Sequence, residues 1–205
     1  NGCAPFRFFN PASIMADRPN TLYVSDLDGT LLDRSGQLSD YTRAELPRLI
    51  HAGLPFTVAS ARSVVTMQNL LEGLPLELPV INFNGAFLSD FSTGQHQFIR
   101  AMERKVIEQV AVRSAEVGVP PIVSTYTGTA DRVYYTDLVN PSMENYVASR
   151  SAAGDPRLRR IERLDGELDE QLVCLTIVHQ RDVLAGLEAW IEETFPGVLR
   201  TTVFE

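Results

Sequence analysis

The sequence predicts an α/β fold in which a parallel-sheet core is followed by a second α/β unit. Short apolar segments alternate with helical ones over residues 21–86, which favours parallel strands joined by crossover helices. Polar residues follow the end of each apolar segment, where open parallel sheets form their binding sites. After residue 87 hairpin signals dominate, which indicates a second unit with antiparallel pairing.

The elements of the first part have clear boundaries. We expect strands at 22–25, 55–59 and 79–83, and helices at 39–52 and 63–71. Ser39 is a good N-cap for the first helix and Gly53 a good terminator. Pro47 lies inside this helix, where a missing N–H and a steric clash should kink or shorten it.

The second part mixes hairpin signals with amphipathic helices. Ser92-Thr93-Gly94 predicts a turn between strands 87–90 and 97–99, and Gly128 a turn between strands 121–126 and 132–136. Further strands are expected at 158–164, 171–179 and 198–204, with helices at 102–116, 140–151 and 182–194.

Charge and cysteine content restrict the partners and the compartment. The net charge is −8 and no basic block is present, which argues against a general nucleic-acid or anionic-membrane surface. No apolar segment approaches the ~20 residues that span a bilayer. Cys3 and Cys174 lie far apart and match no metal spacing, so we interpret both as free thiols in a reducing compartment, the cytoplasm.

The string Asp26-Leu27-Asp28-Gly29-Thr30 carries the strongest chemical signal. It follows an apolar strand, and its two carboxylates lie two residues apart. One carboxylate can attack phosphorus while the other transfers a proton, and a divalent cation would screen both from the phosphate. An acidic turn is the simpler alternative. A calcium loop needs Gly at its sixth position, which is Leu31 here.

This string resembles motif I of the haloacid dehalogenase superfamily, whose members are mostly magnesium-dependent phosphatases. The resemblance implies that Asp26 is the nucleophile and Asp28 the general acid/base. It also implies that Asp26 and the Asp28 backbone carbonyl bind Mg²⁺. Thr30 is expected among the phosphate-binding or substrate-binding residues.

Two further segments resemble this family. Ser60 resembles the motif II hydroxyl that binds the transferring phosphoryl group, the alternative being a helix N-cap or turn serine. Arg62 is expected to hold this loop or contact the substrate. Asn84-Gly85 resembles the Asn-Gly-Ala of the Cof-type branch and predicts phosphate or substrate contacts, the alternative being a plain Asn-Gly turn.

Two family motifs have no counterpart in the sequence. Motif III supplies a Lys or Arg, yet the only lysine is Lys105, and no run after Val198 resembles the acids of motif IV. We therefore expect an incomplete Rossmann-like core at 20–86, an inserted α/β cap at 87–205 and, at 1–19, an N-terminal extension or expression remnant.

The resemblance implies a Mg²⁺-dependent phosphatase that acts on a small phosphorylated metabolite, such as a sugar phosphate or a phosphorylated cofactor. The alternatives are a phosphomutase or dehalogenase of the same superfamily, or a non-catalytic ligand-binding module. Asp28 weighs against a dehalogenase, because those enzymes usually lack the second Asp.

Overall fold

A computed structural model describes residues 21–152, 154–164, 170–199 and 201. The chain divides into two compact units at Arg100/Ala101. The expected extension at 1–19 lies outside the described residues. Among the described helices, none is both long and apolar enough to cross a membrane.

The first unit is built on a five-stranded sheet with the order β1-β2-β3-β4-β5. Its strands are β1 Tyr23–Asp26, β2 Phe56–Ala59, β3 Val80–Asn82, β4 Phe87–Ser89 and β5 His96–Ile99. The first three strands run parallel and the last two pairings are antiparallel. Helix α1 spans Asp40–His51 and α2 spans Val64–Leu70. The predicted parallel core is thus confirmed.

Both helices begin where a serine caps them. Ser39 Oγ accepts from Thr42 N–H at 3.1 Å, and Ser63 Oγ accepts from Thr66 N–H at 3.3 Å. Helix α1 continues past Pro47 to His51, so the expectation of a shortened helix is wrong. The preceding Leu46 is buried in the core of the unit, and this packing holds the helix through the missing hydrogen bond.

The hairpin of β4 and β5 corrects the expected domain boundary. We expected residues 87–99 in the second unit, but β4 pairs with β3 and extends the first sheet. A boundary at 86/87 therefore cuts through a sheet. The same pairing covers the edge of β3, which an incomplete core would leave open.

Strand β1, in contrast, lies at the edge of this sheet. Leu22, Tyr23 and Val24 are 54%, 48% and 46% exposed, whereas Val58 on β2 is fully buried. In the part of the chain that the structure describes, no strand pairs with the outer edge of β1. The strand that leads into Asp26 therefore has an open edge and two uncovered faces.

The second unit has a four-stranded sheet with the order β8-β7-β6-β9. Its strands are β6 Ile122–Tyr126, β7 Asp131–Tyr135, β8 Leu158–Arg160 and β9 Gln171–Thr176. Its helices are α3 Arg104–Glu116, α4 Pro141–Ala152 and α5 Arg181–Thr194. The hairpin around Gly128 is confirmed, and β8 and β9 are shorter than predicted. Val198 and Leu199 are not in a strand, and most of the expected strand 198–204 lies outside the described residues.

Candidate active site at the carboxyl ends of the parallel strands

The carboxyl ends of the three parallel strands are level with one another. Asp26 is paired in register with Ala59, and Ala59 with Ile81. The segments that follow these residues therefore leave the sheet at the same edge. These segments carry the motif residues that the sequence singled out.

The loop after β1 presents two carboxylates on either side of a buried leucine. Leu27 is fully buried, while Asp26 and Asp28 are exposed. Leu32 N–H donates to Leu27 O at 2.8 Å and closes a wide turn over Leu27–Leu31. Gly29 has a φ of +76°, a conformation that favours glycine. The Asp-Leu-Asp-Gly order thus anchors the loop through its leucine and exposes both acids.

Arg62 holds Asp28 through a two-pronged ion pair. Its Nε donates to Oδ2 at 2.9 Å and its NH2 donates to Oδ1 at 2.7 Å. These hydrogen bonds lower the pKa of the Asp28 carboxyl; partial burial opposes the shift and the positive charge of Arg62 adds to it. The two side chains keep 54% and 36% of their surface exposed, so the pair lies open to solvent.

Ser60 is buried within the second loop, with 6% of its surface exposed. Its N–H donates to Ile81 O at 2.9 Å, and its Oγ accepts from Arg62 N–H at 3.2 Å. Because Oγ accepts in that contact, its own proton remains available to a ligand. Ser63, not Ser60, caps helix α2, so the N-cap alternative for Ser60 is excluded. The contact from Arg62 N–H, two residues on, is that of a turn serine, so the turn alternative remains.

The third segment forms a left-handed turn directly after β3. Phe83, Asn84 and Gly85 have φ values of +50°, +53° and +88°. Asn84 N–H donates to Ser60 O, and Phe83 N–H donates to Arg62 O, both at 3.2 Å. These bonds join the turn to the second loop, and the Asn84 side chain is exposed.

Hydrogen bonds thus connect four of the predicted residues: Asp28, Ser60, Arg62 and Asn84. Asp26 lies level with them through the strand register, Gly85 lies in the left-handed turn and Thr30 is exposed in the first loop. Sequence reasoning missed Phe83. The only local signal was its position before Asn-Gly, and propensity alone would not place a phenylalanine at positive φ.

The donors at this edge suit a hard divalent cation. The Asp26 carboxylate and the Asp28 carbonyl are oxygen ligands of the kind that Mg²⁺ prefers, and they would supply two of its six positions. Among the described residues, no group of three or more His, Cys, Asp or Glu side chains could hold a metal ion. The residues therefore fit Mg²⁺ as a partial set, with water and phosphate as the natural remaining ligands.

Several proteins are similar to this chain in sequence, and two of them illustrate the extent of the match. A relative from Mycoplasma genitalium is 34% identical over 87 residues, which is 42% of this chain and 31% of the relative. The 5-amino-6-(5-phospho-D-ribitylamino)uracil phosphatase of Bacillus subtilis is 33% identical over 86 residues, 42% of this chain and 27% of that protein. The matched segment thus spans about a third or less of each relative.

The fold is similar to that of a haloacid dehalogenase-like hydrolase from Bacteroides thetaiotaomicron. The TM-score is 0.68 at 19% sequence identity, over 90% of this chain and 67% of the other. The family model of the haloacid dehalogenase-like hydrolases matches residues 23–205. The resemblance expected from the motifs is thereby confirmed, and the chain belongs to the haloacid dehalogenase-like hydrolases.

Proposed function

We propose that the protein is a Mg²⁺-dependent phosphatase that hydrolyses small phosphorylated metabolites through an aspartyl-phosphate. The observation that carries this proposal is the pair of exposed carboxylates at the end of β1. Of these two acids, Asp28 is the one that pairs with the Arg62 guanidinium in the described part of the chain. An exposed carboxylate can attack phosphorus, while the second is held close by for proton transfer.

The chemistry of the two acids is complementary. An Asp26 oxygen forms a bond to phosphorus as the ester P–O bond breaks. Asp28, which takes up a proton from solvent once a contact to Arg62 opens, gives that proton to the leaving oxygen. Asp28 then takes a proton from the water that attacks the aspartyl-phosphate, which releases phosphate and restores Asp26. Both Asp28 oxygens contact Arg62, so at least one of these contacts must open before Asp28 reaches a leaving group.

The other site residues serve to hold the phosphoryl group. The Ser60 hydroxyl proton and the Asn84 side-chain amide are hydrogen-bond donors at the same edge, and Arg62 adds a positive charge. The Asp26 carboxylate and the Asp28 carbonyl would hold Mg²⁺. When bound, the ion would offset the repulsion between Asp26 and the phosphate. Positioning and charge compensation of this kind supply most of the rate in phosphoryl transfer.

The described residues lack the family's Lys or Arg of motif III and its further acids of motif IV. Lys105 lies in the first turn of α3 in the second unit. We therefore expect the 205 residues, tested alone, to be nearly inactive and poorly stable.

The substrate class follows from two considerations. The Bacillus subtilis relative is named for a phosphorylated ribitylamino-uracil, which is a small phosphorylated compound. In this proposal the second unit is an inserted α/β cap domain. Because the net charge of the chain is −8, binding of an anionic substrate depends on the local hydrogen-bond donors and the metal.

The test is phosphoryl trapping on the natural full-length protein. With Mg²⁺ and a small phosphomonoester, wild type should form an acid-stable, base-labile phosphoenzyme and turn over, while Asp26→Asn should lose about a thousandfold or more of kcat. Asp40→Asn, which alters another exposed acid of the first unit, is the matched control and should behave as wild type.

Two results would overturn the proposal. One is near-normal turnover of a verified, non-deamidated Asp26→Asn protein. The other is undiminished activity in excess chelator, which would remove the metal from the mechanism.

A further inference from the structure

We propose that Phe83 is a positioning residue whose left-handed backbone keeps Arg62 on Asp28. The effect of Phe83 on catalysis rests on the proposed phosphatase function. The effect of Phe83 on the Arg62–Asp28 contact can be tested without measuring any activity. Phe83 touches neither acid. It acts through the backbone of the loop that carries Arg62.

The backbone of Phe83 is strained. Three consecutive residues adopt positive φ, and glycine and asparagine tolerate this region readily, so Gly85 and Asn84 need no special support. Phe83, at +50°, is a bulky residue in a conformation that costs energy. Strain of this kind persists only where surrounding contacts enforce it, and it is concentrated at functional sites.

The hairpin supplies the enforcing contact. The Phe83 ring packs edge-to-face on Phe87, with centroids 5.5 Å apart and planes at 88°. Phe87 is fully buried on β4, and the ring of His96 stacks on it with centroids 3.8 Å apart. Just before the turn, buried Asn82 accepts a hydrogen bond from Ser89 of β4 at 2.8 Å. The start of the turn is thus fixed to β4 through both a ring contact and a polar contact.

The left-handed turn also fixes the second loop, which follows β2 and carries Ser60 and Arg62. With its backbone left-handed, Phe83 directs its N–H to Arg62 O, while Asn84 N–H bonds Ser60 O. A Phe83 backbone that relaxed to negative φ would rotate these amides away from both carbonyls. Of the three backbone bonds named here, the one from Ser60 N–H to Ile81 O would then remain.

A continuous set of contacts therefore leads from the hairpin to the acid. It runs from Phe87 through the ring and backbone of Phe83 to the carbonyl of Arg62, whose guanidinium grips Asp28. The backbone carbonyl and the guanidinium of Arg62 are thereby both oriented. In catalysis the oriented guanidinium positions the Asp28 carboxylate, which transfers the proton. We therefore expect Phe83 substitutions to change kcat more than KM.

Two substitutions separate the backbone from the ring. Phe83→Ala and Phe83→Gly both remove the ring, but only glycine adopts positive φ without strain. We expect the amides of residues 83 and 84 to exchange hydrogen about tenfold faster in Phe83→Ala, and within about threefold of wild type in Phe83→Gly. The Arg62 Nε–H resonance in nitrogen-15 NMR should broaden in the alanine variant and persist in the glycine variant.

The control is Phe91→Ala, which removes a half-buried ring packed on the core of the first unit, outside the turn. It should leave the exchange at residues 83 and 84 unchanged. Equal behaviour of the alanine and glycine variants, or wild-type protection in Phe83→Ala, would overturn the proposal. If the two ring-less variants fail to fold, Phe83→Leu and Phe83→Asn replace them, since asparagine tolerates positive φ and leucine does not.

Kinetics then test the catalytic part. In the full-length protein, Phe83→Ala should lower kcat by about ten- to a hundredfold with KM within about threefold, and Phe83→Gly should recover most of it. A change in KM alone would overturn the positioning role. Should wild type show no phosphatase activity, the proposed function fails, while hydrogen exchange still decides whether Phe83 holds Arg62.

Discussion

In the part of the chain that the structure describes, each unit has one aspartate held by a two-pronged arginine, and the two pairs differ in burial. In the first unit Arg62 contacts Asp28 at 2.9 and 2.7 Å, and in the second Arg157 contacts Asp155 at 2.8 and 2.6 Å. The side chains of the first pair are 36% and 54% exposed; those of the second are 8% and 10% exposed.

The buried pair has the contacts of a structural clamp. Arg157 also donates its backbone N–H to Asp155 at 3.1 Å, and its carbonyl accepts from Val133 N–H of β7 at 2.9 Å. Arg150 of α4 reaches the same carboxylate at 3.4 Å. The exposed pair costs little to open, because water solvates both partners as they separate. The two ion pairs have similar geometry, but they differ in burial. The exposed Asp28 can therefore exchange its partner readily, whereas the buried Asp155 keeps its partner.

The largest expected effect comes from neutralising the exposed acid. Asp28→Asn removes the group that transfers the proton, so kcat should fall by about 10²–10⁴. The midpoint of urea unfolding should change little, because the lost ion pair is solvent-exposed. Steady-state kinetics and urea titration of the same preparation test both statements. Unfolding of Asp28→Asn at a markedly lower urea concentration than wild type would contradict the claim that the exposed pair contributes little to stability.

Breaking the buried pair should have the opposite outcome. Asp155→Ala leaves the Arg157 guanidinium buried without its partner, which should cost about 3–5 kcal/mol of unfolding free energy. Asp137→Ala is the matched control, because its pair with Arg160 in the same unit is 84% and 69% exposed and should contribute less than about 1 kcal/mol. Similar losses of unfolding free energy in Asp155→Ala and Asp137→Ala would show that burial does not determine the contribution of these ion pairs.

Acid should weaken the buried pair in a defined direction. Burial alone would raise the pKa of Asp155, but the hydrogen bonds and charge of Arg157 outweigh it and leave the pKa below its usual 3.8. A depressed folded pKa contributes stability above pH 3.8, and this contribution is lost as the pH falls through the folded value. The unfolding midpoints of wild type and Asp155→Asn should therefore converge below about pH 4. A constant difference down to acid pH would contradict this.

The smallest effect on stability is expected for Arg62→Ala. Loss of an exposed pair should change the unfolding free energy by less than about 1 kcal/mol. The pKa of the Asp28 carboxyl should rise, because the variant removes the hydrogen bonds that lower it. Carbon-13 NMR of the carboxyl measures that shift. An unchanged pKa in Arg62→Ala would show that the ion pair is not maintained in solution.

Much of the first unit was predictable because its signals are local. Alternating apolar strands and capped helices report the secondary structure, and right-handed crossovers leave few ways to assemble it. The spacing of Asp26 and Asp28 around a buried leucine exposes both acids without any distant contact. The ends of parallel strands also meet at one edge, so Ser60 and Asn84 could be placed near the acids in advance.

The features that were not predicted depend on contacts between distant segments. A hairpin signal at 87–99 does not reveal which sheet it joins, so the domain boundary was placed too early. Arg62 could have faced solvent, substrate or an acid, and the choice of Asp28, 34 residues away, depends on how the two loops pack.

By itself, the sequence determined the α/β class, the order of the core elements and the identity of the acids, because backbone propensity and side-chain period act over a few residues. Only the tertiary structure decided which of two similar Asp–Arg pairs is exposed and which is buried. It also decided that Phe83 adopts a left-handed backbone. Burial and strain are set by neighbours far away in the chain, and no local pattern records them.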